Sequence, residues 1–271
     1  MSVISSIALK GGVGKTTLTH HLAGVLSGSG KRILLIDNDA QGSLSSGVFG
    51  PTAVESMEPS ATIAALYGGL DPLPEQVILS TGIERLDIVA GSMAAARFNV
   101  PEPHLAPIDV QLCLRNFLDE VRGLYDLVLI DNPPNLNAAS WAALIASDHI
   151  IVPVIPEDYG AASLSPVFES LALVRSGPNP KLNLLGLVLS MVQPRLTVHQ
   201  LYEASLREQH GKGVLTSRIP LATDIKEAIS QRRPISLYKP KGASTKAFKA
   251  LAEEMLARME EASNPSNLEA A

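Results

Sequence analysis

A glycine-rich turn between a short apolar run and a helical segment limits the possible folds of this chain more than any other feature. The apolar run covers residues 3–9, the turn reads KGGVGKTT over residues 10–17, and the helical segment continues to about Ser27. A second apolar run, RILLID, follows and ends on Asp37. A strand, a helix and a second strand in such close succession form a βαβ unit, which requires a parallel sheet.

Apolar runs and helical segments alternate along the rest of the chain. The additional predicted strands lie at residues 86–90, 126–131, 149–155 and 184–192. The predicted helices lie at residues 109–122, 138–146, 160–176 and 197–210, and a last one runs from Ser244, as its N-cap, to Glu261. Pro- and Gly-rich stretches at residues 50–60, 68–74 and 99–107 are predicted to be loops.

These predicted strands are apolar on both faces. Such runs are typical of a parallel sheet that is covered by helices on both sides. We therefore predict the α/β fold class, with a single domain over residues 1–262 and a mostly parallel twisted β-sheet flanked by helices on both faces. Residues 263–271, which read SNPSNLEAA, are predicted to be a disordered tail.

The turn itself is a variant of the phosphate-binding loop G-x-x-x-x-G-K-[ST], because residues 8–10 replace the usual first glycine and its spacing. Glycines let backbone N–H groups turn inward around a phosphate, and the following helix N-terminus adds partial positive charge. Lys15 then bridges the β- and γ-phosphates, and the Thr16 hydroxyl binds Mg²⁺. An incidental glycine turn is the alternative. The predicted phosphate contacts are Gly11, Gly12, Val13, Gly14, Lys15, Thr16 and Thr17.

Three acidic side chains follow two predicted strands. Asp131 ends the run YDLVLID, and Asp37 and Asp39 stand at the end of RILLID. The carboxyl ends of parallel strands line the ligand crevice of an α/β sheet, so these carboxylates are expected near the metal and the γ-phosphate. One carboxylate can support the water shell of the metal while another orients the attacking water. A chance strand-end acid or a helix cap is the alternative for each.

Charge is distributed unevenly along the chain. The net charge is −5, whereas residues 195–249 contain 11 Lys or Arg and 4 Asp or Glu, which gives +7 for this segment and −12 for the rest. Such a segment is either a docking face for a polyanion or part of a mixed solvated surface. A single cysteine, Cys113, excludes an internal disulfide framework and favours a reducing, cytoplasmic compartment.

The motifs KGGVGKTT, DNDAQGS and LIDNPP, in this order and spacing, resemble the ParA/MinD family of deviant Walker-A P-loop ATPases, and the ParA partition branch in particular. The resemblance extends from about Ile4 to Met259. It implies ATP and Mg²⁺ as cofactors and a homodimer that sandwiches two ATP molecules. Lys10 is expected to reach across the dimer interface to the partner's phosphates, as the family's early lysine does.

The resemblance also assigns the other site residues. Catalysis is expected from Lys10, Lys15 and Asp39, with Asp39 beside the hydrolytic water. Asp37 and Asp131 are expected to support the metal through water, together with the hydroxyl of Thr16. Pro220 and Ala222 are expected beside the adenine. Asn132 and Ala40 depart from common family residues, but neither departure removes a phosphate or metal ligand.

The family resemblance implies further partners. The ATP dimer is expected to bind DNA non-specifically, and a ParB-like or other small basic-tailed activator is expected to stimulate a slow hydrolysis. The cargo would be a plasmid, a chromosome or a protein microcompartment or cluster, and the location the nucleoid. Leu221 stands where relatives often have an arginine, so that phosphate contact is missing. The candidate DNA-binding residues are Arg195, Arg218, Lys226, Arg232 and Arg233.

Two other functions remain open. A MinD-like regulator at a membrane is disfavoured because the end of the chain, EEMLARMEEASNPSNLEAA, is acidic rather than basic on its polar side. We accordingly expect no membrane partner. A metabolic enzyme similar to dethiobiotin synthetase would share the fold and the phosphate loop, but no further catalytic cluster is visible in the sequence.

Overall fold

Eight strands form one sheet in the computed structural model, which describes residues 1–157 and 164–263. The strands are β1 Ser2–Ser6, β2 Ile33–Asp37, β3 Ile78–Ile83, β4 Leu86–Val89, β5 Leu127–Asp131, β6 His149–Val154, β7 Asn183–Val192 and β8 Val214–Pro220. Their order across the sheet is β3-β4-β2-β5-β1-β6-β7-β8. The edge strand β3 pairs antiparallel with β4, and the remaining neighbours are parallel. The predicted α/β fold class is confirmed.

Helices cover both faces of the sheet. In the described ranges they are α1 Lys15–Gly28, α2 Ser43–Phe49, α3 Pro51–Glu55, α4 Ile63–Tyr67, α5 Pro74–Val77, α6 Ile108–Glu120, α7 Ala138–Ala146, α8 Ser165–Ser176, α9 Thr197–His210, α10 Thr223–Ser230, α11 Ile235–Tyr238 and α12 Ala243–Ser263. None of these helices is both long and apolar enough to cross a membrane. Part of the predicted helix 160–176 and most of the predicted tail lie outside the described residues.

The central strands β2 and β5 are apolar up to their last residue because both of their faces are buried. In β2, Ile33 and Leu35 pack into the core on the α1 side, whereas Leu34 and Ile36 pack into the core on the α6 side. Successive side chains of a strand point to opposite faces, so a strand buried on both faces favours apolar residues at successive positions. Strand β5 alternates in the same way.

The structure differs from the sequence prediction at both sheet edges and in several short helices, since α2, α4, α5, α10 and α11 were not predicted. Strands β3 and β8 were not predicted, and the stretch 50–60, predicted as a loop, contains helix α3. The prediction of Ser244 as an N-cap was wrong, because α12 already begins at Ala243. The buried Ser244 hydroxyl instead donates a hydrogen bond to Asp224 Oδ1 at 2.7 Å.

Two buried histidines lie on α1. The His21 Nδ1 atom accepts a hydrogen bond from the N–H of Ile235 at 3.0 Å, and its ring meets Phe248 edge-on. Burial lowers the pKa of His20 to about 4, and burial together with the neighbouring His20 lowers the pKa of His21 to about 3. Both rings are therefore neutral packing groups at neutral pH.

The pairing register of the central strands brings the predicted metal-site acids together. Asp37 and Asp131 are partners on the adjacent strands β2 and β5, and Ser6 of β1 is the next partner of Asp131. Neighbouring strands lie about 4.8 Å apart. Both carboxylates therefore emerge at one level beside the end of β1, where the glycine-rich turn begins.

Candidate active site

The glycine-rich turn has the backbone geometry of an anion-binding loop. Gly12 and Gly14 have φ values of 77° and 89°, in the left-handed region that favours glycine. Gly14 is the N-cap of α1 and supplies no side chain to the free N–H groups of the first turn, which also contains no acidic residue. The N-terminus of α1 is therefore available to an anion.

Lys15 is the buried cation of this loop. Its side chain is largely enclosed, with 7% relative exposure, and Nζ donates to the carbonyl oxygen of Ala8 at 3.3 Å. Burial lowers the pKa of Lys15, and the charges of Asp131 and Asp39 oppose that shift. A cation held beside two carboxylates in a dehydrated loop is well placed to neutralise phosphate oxygens.

Thr16 and Asp131 connect the loop to the sheet. The Thr16 hydroxyl donates to Asp131 Oδ2 at 2.6 Å, whereas Asp131 Oδ1 is buried without a hydrogen-bond partner. Burial, followed by the charge of Asp37, raises the pKa of Asp131 to about 8, although Thr16 and Lys15 favour the carboxylate. The unpartnered oxygen and the raised pKa indicate a site that would gain from an added cation.

Asp37 has a structural role in addition to the predicted one. Its Oδ2 accepts hydrogen bonds from both the N–H and the hydroxyl of Ser45 at 2.7 Å, which fixes helix α2. Its Oδ1 is buried and unpartnered, and burial raises its pKa to about 6. Only one oxygen therefore remains for a water of the metal shell. Gly91 closes the site from behind, because a Cβ there would lie 2.9 Å from the Asp37 carboxyl carbon.

Asp39 is the most accessible of the three acids. It is half-buried, and its Oδ1 accepts from the N–H of Gln41 at 3.0 Å, which forms a local turn. Its charge acts on both Lys15 and Asp131. An accessible carboxylate beside a buried lysine is suited to orient a water molecule from the solvent side.

The donor set fits Mg²⁺. Two buried carboxylate oxygens, of Asp37 and Asp131, lack partners, and the Thr16 hydroxyl lies against Asp131. Among the described residues, no three His, Cys, Asp or Glu side chains form a metal cluster. Mg²⁺ prefers oxygen ligands and keeps several waters, so a hydroxyl, phosphates and water-mediated carboxylates suit it better than a cage of side chains.

An amide network, which the sequence reasoning missed, joins the loops after β2 and β5. Asn38 Nδ2 donates to Asn132 Oδ1 and to the carbonyl of Ala139, both at 2.8 Å. The Tyr67 hydroxyl donates to Asn38 Oδ1 at 2.7 Å. Asn132 is thus one half of a buried amide pair, which explains an asparagine at that position. No local signal could have identified the pair, because its members are far apart in sequence.

Lys10 lies at the rim of the loop. Its side chain is 41% exposed, and Nζ is 3.9 Å from Glu157 Oε2. The other carboxylate oxygen of Glu157 is 4.0 Å from His199 Nε2. The structure thus places Lys10 outside the buried group around Lys15, at a position that a second molecule can approach.

The predicted adenine contacts lie together on the other side of the loop. Pro220 and Ala222 line an apolar cleft of about 70 Å³ with Gly14, Thr17 and Met191. Met191 has a φ of 53°, an uncommon conformation for its residue type, at the end of β7. The cleft is suited to a flat apolar group such as a purine.

The basic candidates are exposed and lie on several different segments. Arg195 follows β7, Lys226 lies on α10, and Arg232 and Arg233 follow α10. Arg218 is already paired with the nearly buried Glu203 at 2.7 Å, and Arg207 contacts the same carboxylate oxygen at 2.8 Å. The Arg232 guanidinium packs against Gly50, where a Cβ would lie 2.5 Å from it.

Known proteins with a similar sequence or fold support a nucleotide-dependent function. The family profile described as "AAA domain" matches residues 1–184. The chain is 35% identical to the chromosome-partitioning ATPase Soj of Thermus thermophilus, over 93% of this chain and 94% of that protein.

Two solved structures show the same fold. The septum site-determining protein MinD of Pyrococcus horikoshii, solved with Mg-ADP, has a TM-score of 0.73 and 26% identity over 96% of this chain and 98% of that chain. Cobyrinic acid a,c-diamide synthase of Mycobacterium smegmatis, solved with ADP and magnesium, has a TM-score of 0.79 and 22% identity over 96% of each chain, which shows the fold alone. The phosphate loop, the strand-end acids and the similarity to Soj over nearly the whole chain together show that this chain belongs to the ParA/MinD family of P-loop ATPases.

Proposed function

We propose that this protein is an ATP-driven positioning ATPase: it dimerises with ATP, binds DNA non-specifically as the dimer, and releases cargo when a partner stimulates hydrolysis. ATP and Mg²⁺ are its cofactors. The observation that carries the proposal is the enclosed Lys15 and Thr16 opposite three strand-end acids, with Lys10 at the open rim. The cargo would be a plasmid, a chromosome or a protein assembly.

The proposed hydrolysis transfers the γ-phosphoryl group of ATP to water and yields ADP and phosphate. Lys15 neutralises the β- and γ-phosphate oxygens, and Thr16 holds its hydroxyl beside Asp131. Asp39 accepts a hydrogen bond from the attacking water and orients it. Bound Mg²⁺ supplies charge neutralisation on the phosphates. Asp37 and Asp131 orient the surrounding water with their two unpartnered oxygens.

A second copy of the chain is proposed to complete the site. The exposed ammonium group of Lys10 would leave Glu157 and contact the partner's phosphates. A cation that acts across an interface stabilises charge only in the dimer, so ATP becomes an assembly switch. Lys10→Ala is therefore expected to lose ATP-dependent dimerisation, measured by light scattering, while the exposed-lysine control Lys181→Ala retains it. Normal dimerisation and hydrolysis by Lys10→Ala would refute the role across the interface.

The proposed DNA contacts are to phosphates. Exposed Arg195, Lys226, Arg232 and Arg233 support them, in a segment with a net charge of +7 from 11 basic and 4 acidic residues. Affinity for DNA should fall steeply with salt and should require ATP. Asp39→Ala, which binds ATP without hydrolysing it, should accumulate on DNA. Co-sedimentation with DNA and with anionic lipid vesicles, each with and without ATP, distinguishes this role from one at a membrane.

A further inference from the structure

An open cavity of about 300 Å³ lies between the end of α4 and one face of α6, away from the candidate active site. Leu66, Gly69, Asp71 and Pro72 form one wall. The other wall contains Asp109, Cys113, Phe117 and Glu120 of α6. We call this cavity the α4–α6 groove.

The α6 wall is a continuous stripe along one side of the helix. Asp109, Cys113, Phe117 and Glu120 are spaced by four, four and three residues, so they share one helical face. The stripe is about 16 Å long at a rise of about 1.5 Å per residue. Its centre is buried and apolar, because Cys113 and Phe117 are 9% and 3% exposed, whereas its two ends are exposed carboxylates.

Large apolar side chains flank this groove. Leu70, Leu73 and Ile108 are 63%, 58% and 61% exposed, and each is adjacent in sequence to a residue that lines the cavity. Single exposed apolar residues are ordinary on a protein surface, but several of them around an apolar depression are typical of a surface that binds another protein.

The charge of the region specifies what can bind there. Residues 66–120 contain 8 Asp or Glu and 3 Lys or Arg, which gives a net charge of −5. The three basic side chains have partners of their own: Arg85 pairs with Glu84, Arg97 lies over the ring of Phe98, and Arg115 donates to the carbonyls of Ile145 and Pro178. The rim acids Asp71, Asp109 and Glu120 therefore present negative charge around an apolar floor.

We propose that the α4–α6 groove is a docking site for a cationic, amphipathic segment of another protein, about three helical turns long. Its apolar side chains pack against the exposed Leu70, Leu73 and Ile108 beside the groove, and its Lys or Arg side chains meet the rim acids. The groove shares no lining residue with the phosphate loop. It does not depend on the proposed function, and its test contains no nucleotide.

Other occupants are less suitable on grounds of charge. A second copy that docked the same face would bring acid against acid, which is unfavourable across an interface. The chain's own residues outside the described ranges read DYGAAS at 158–163 and NPSNLEAA at 264–271, and neither stretch contains a Lys or Arg. Nucleic acid is excluded by the negative rim. A basic segment of a separate protein is the occupant that satisfies both the charge and the apolar floor.

The test uses three synthetic 14-residue peptides. The Lys/Leu peptide carries Lys and Leu at helical spacing. The Glu-containing peptide has Glu in place of each Lys, and the Lys/Ser peptide has Ser in place of each Leu. Affinity is measured by isothermal titration calorimetry on the full chain without nucleotide. The triple variant Asp71→Asn, Asp109→Asn, Glu120→Gln is compared with Glu208→Gln, Glu253→Gln, Glu260→Gln, which removes three exposed acids elsewhere. Both variants are first checked for unchanged thermal unfolding.

The Lys/Leu peptide should bind the groove variant about tenfold more weakly than the wild type, and the control variant within about twofold of it. Equal weakening by both variants would mean attraction by net charge alone and would overturn the proposal. Binding of the Lys/Ser peptide as tightly as the Lys/Leu peptide would also overturn it, since the apolar floor would then contribute nothing. The Glu-containing peptide should not bind.

Cys113 gives the location of the bound peptide, because it is the sole cysteine of the chain and lines the groove. Saturating Lys/Leu peptide should slow alkylation of this thiol several-fold in the wild type and in the control variant. An unchanged alkylation rate at saturation would place the peptide elsewhere and overturn the proposal.

Discussion

The two halves of the sheet carry their functional side chains in opposite ways. At the ends of β2 and β5, Asp37 and Asp131 are fully buried, paired in register and hydrogen-bonded to Ser45 and Thr16. On β8 and in the segments after β7 and α10, the basic side chains are exposed, and Arg218 forms an ion pair with the nearly buried Glu203. The positions of the acidic side chains are therefore determined by the fold. The conformations and charge interactions of the basic side chains depend instead on solvent, on salt and on any molecule that binds there.

Removal of Lys15, the buried cation beside these acids, should cause the largest loss of activity. Lys15→Ala should lower ATP hydrolysis by at least about 100-fold, because a preorganised cation at the phosphates is lost. Phosphate release at saturating ATP and Mg²⁺ measures the effect, with Lys181→Ala as an exposed-lysine control. Hydrolysis within a few-fold of the wild type would mean that the enclosed lysine is structural and that the comparison between the halves is wrong.

A change of pH tests whether the two histidines of α1, the helix that follows the phosphate loop, are buried in their neutral form. His20 and His21 have pKa values of about 4 and about 3 in the fold, against 6.5 in an unfolded chain. As the pH falls below 6.5, the unfolded chain binds protons that the folded chain does not, so stability decreases until the folded pKa values are reached. Each histidine should lower the free energy of unfolding by about 2 kcal/mol between pH 7 and pH 5, whereas the raised pKa values of Asp37 and Asp131 act in the opposite direction over the same interval.

Urea unfolding at both pH values measures this loss. His20→Leu keeps an apolar side chain in the same place without a titrating group, so its free energy of unfolding should change by about 2 kcal/mol less in the destabilising direction over that interval than that of the wild type. An identical pH dependence in the two proteins would contradict the neutral, buried state of His20.

A single added methyl group should perturb the acidic half. In Gly91→Ala the new Cβ would lie 2.7 Å from the carbonyl oxygen of Asp39 and 2.9 Å from the Asp37 carboxyl carbon. Such overpacking costs about 1–3 kcal/mol and should displace both acids, with a loss of hydrolysis. Gly28→Ala is the matched control, because nothing lies within 4 Å of its Cβ. Equal stability and activity in the two variants would contradict tight packing behind Asp37.

The basic half should give the smallest effects. Arg195→Ala should weaken DNA binding by the ATP-bound protein about three- to tenfold at low salt and reduce the salt slope by about one. Arg218→Ala should have a smaller effect, because Glu203 already offsets its charge at 2.7 Å. Fluorescence anisotropy over a salt series measures both. A larger loss from Arg218→Ala would place the DNA surface beside α9, with Glu203 displaced on binding.

The same contrast explains what the sequence could predict. Strands β2 and β5 are apolar at every position except the last, so their existence and their terminal acids were visible. Strand β8 carries Thr216, Ser217 and Arg218 in its centre, because this edge strand is partly open to solvent. A search for apolar runs therefore missed β8, and the same search missed β3 because that edge strand is also partly polar.

Within the site, local motifs identified Lys15, Thr16 and the three acids but not the residues that hold them. Ser45, Gly91 and Asn38 act through contacts between distant segments, and no short pattern encodes such contacts. The roles assigned to Lys10 and to the basic side chains remain predictions, because they concern a second molecule.

The pairing of Asp37 with Asp131 in register affects which insertions and deletions related sequences can tolerate. The spacing of these two acids is maintained by a backbone ladder, not by the long connection that separates them in sequence. Insertions or deletions within that connection can therefore accumulate without altering the geometry of hydrolysis where they spare Tyr67, strand β4 and Gly91, which contact the site. The segment that forms the α4–α6 groove lies within that connection, so descendants of one ancestral ATPase can acquire new recognition surfaces there while their shared chemistry stays unchanged.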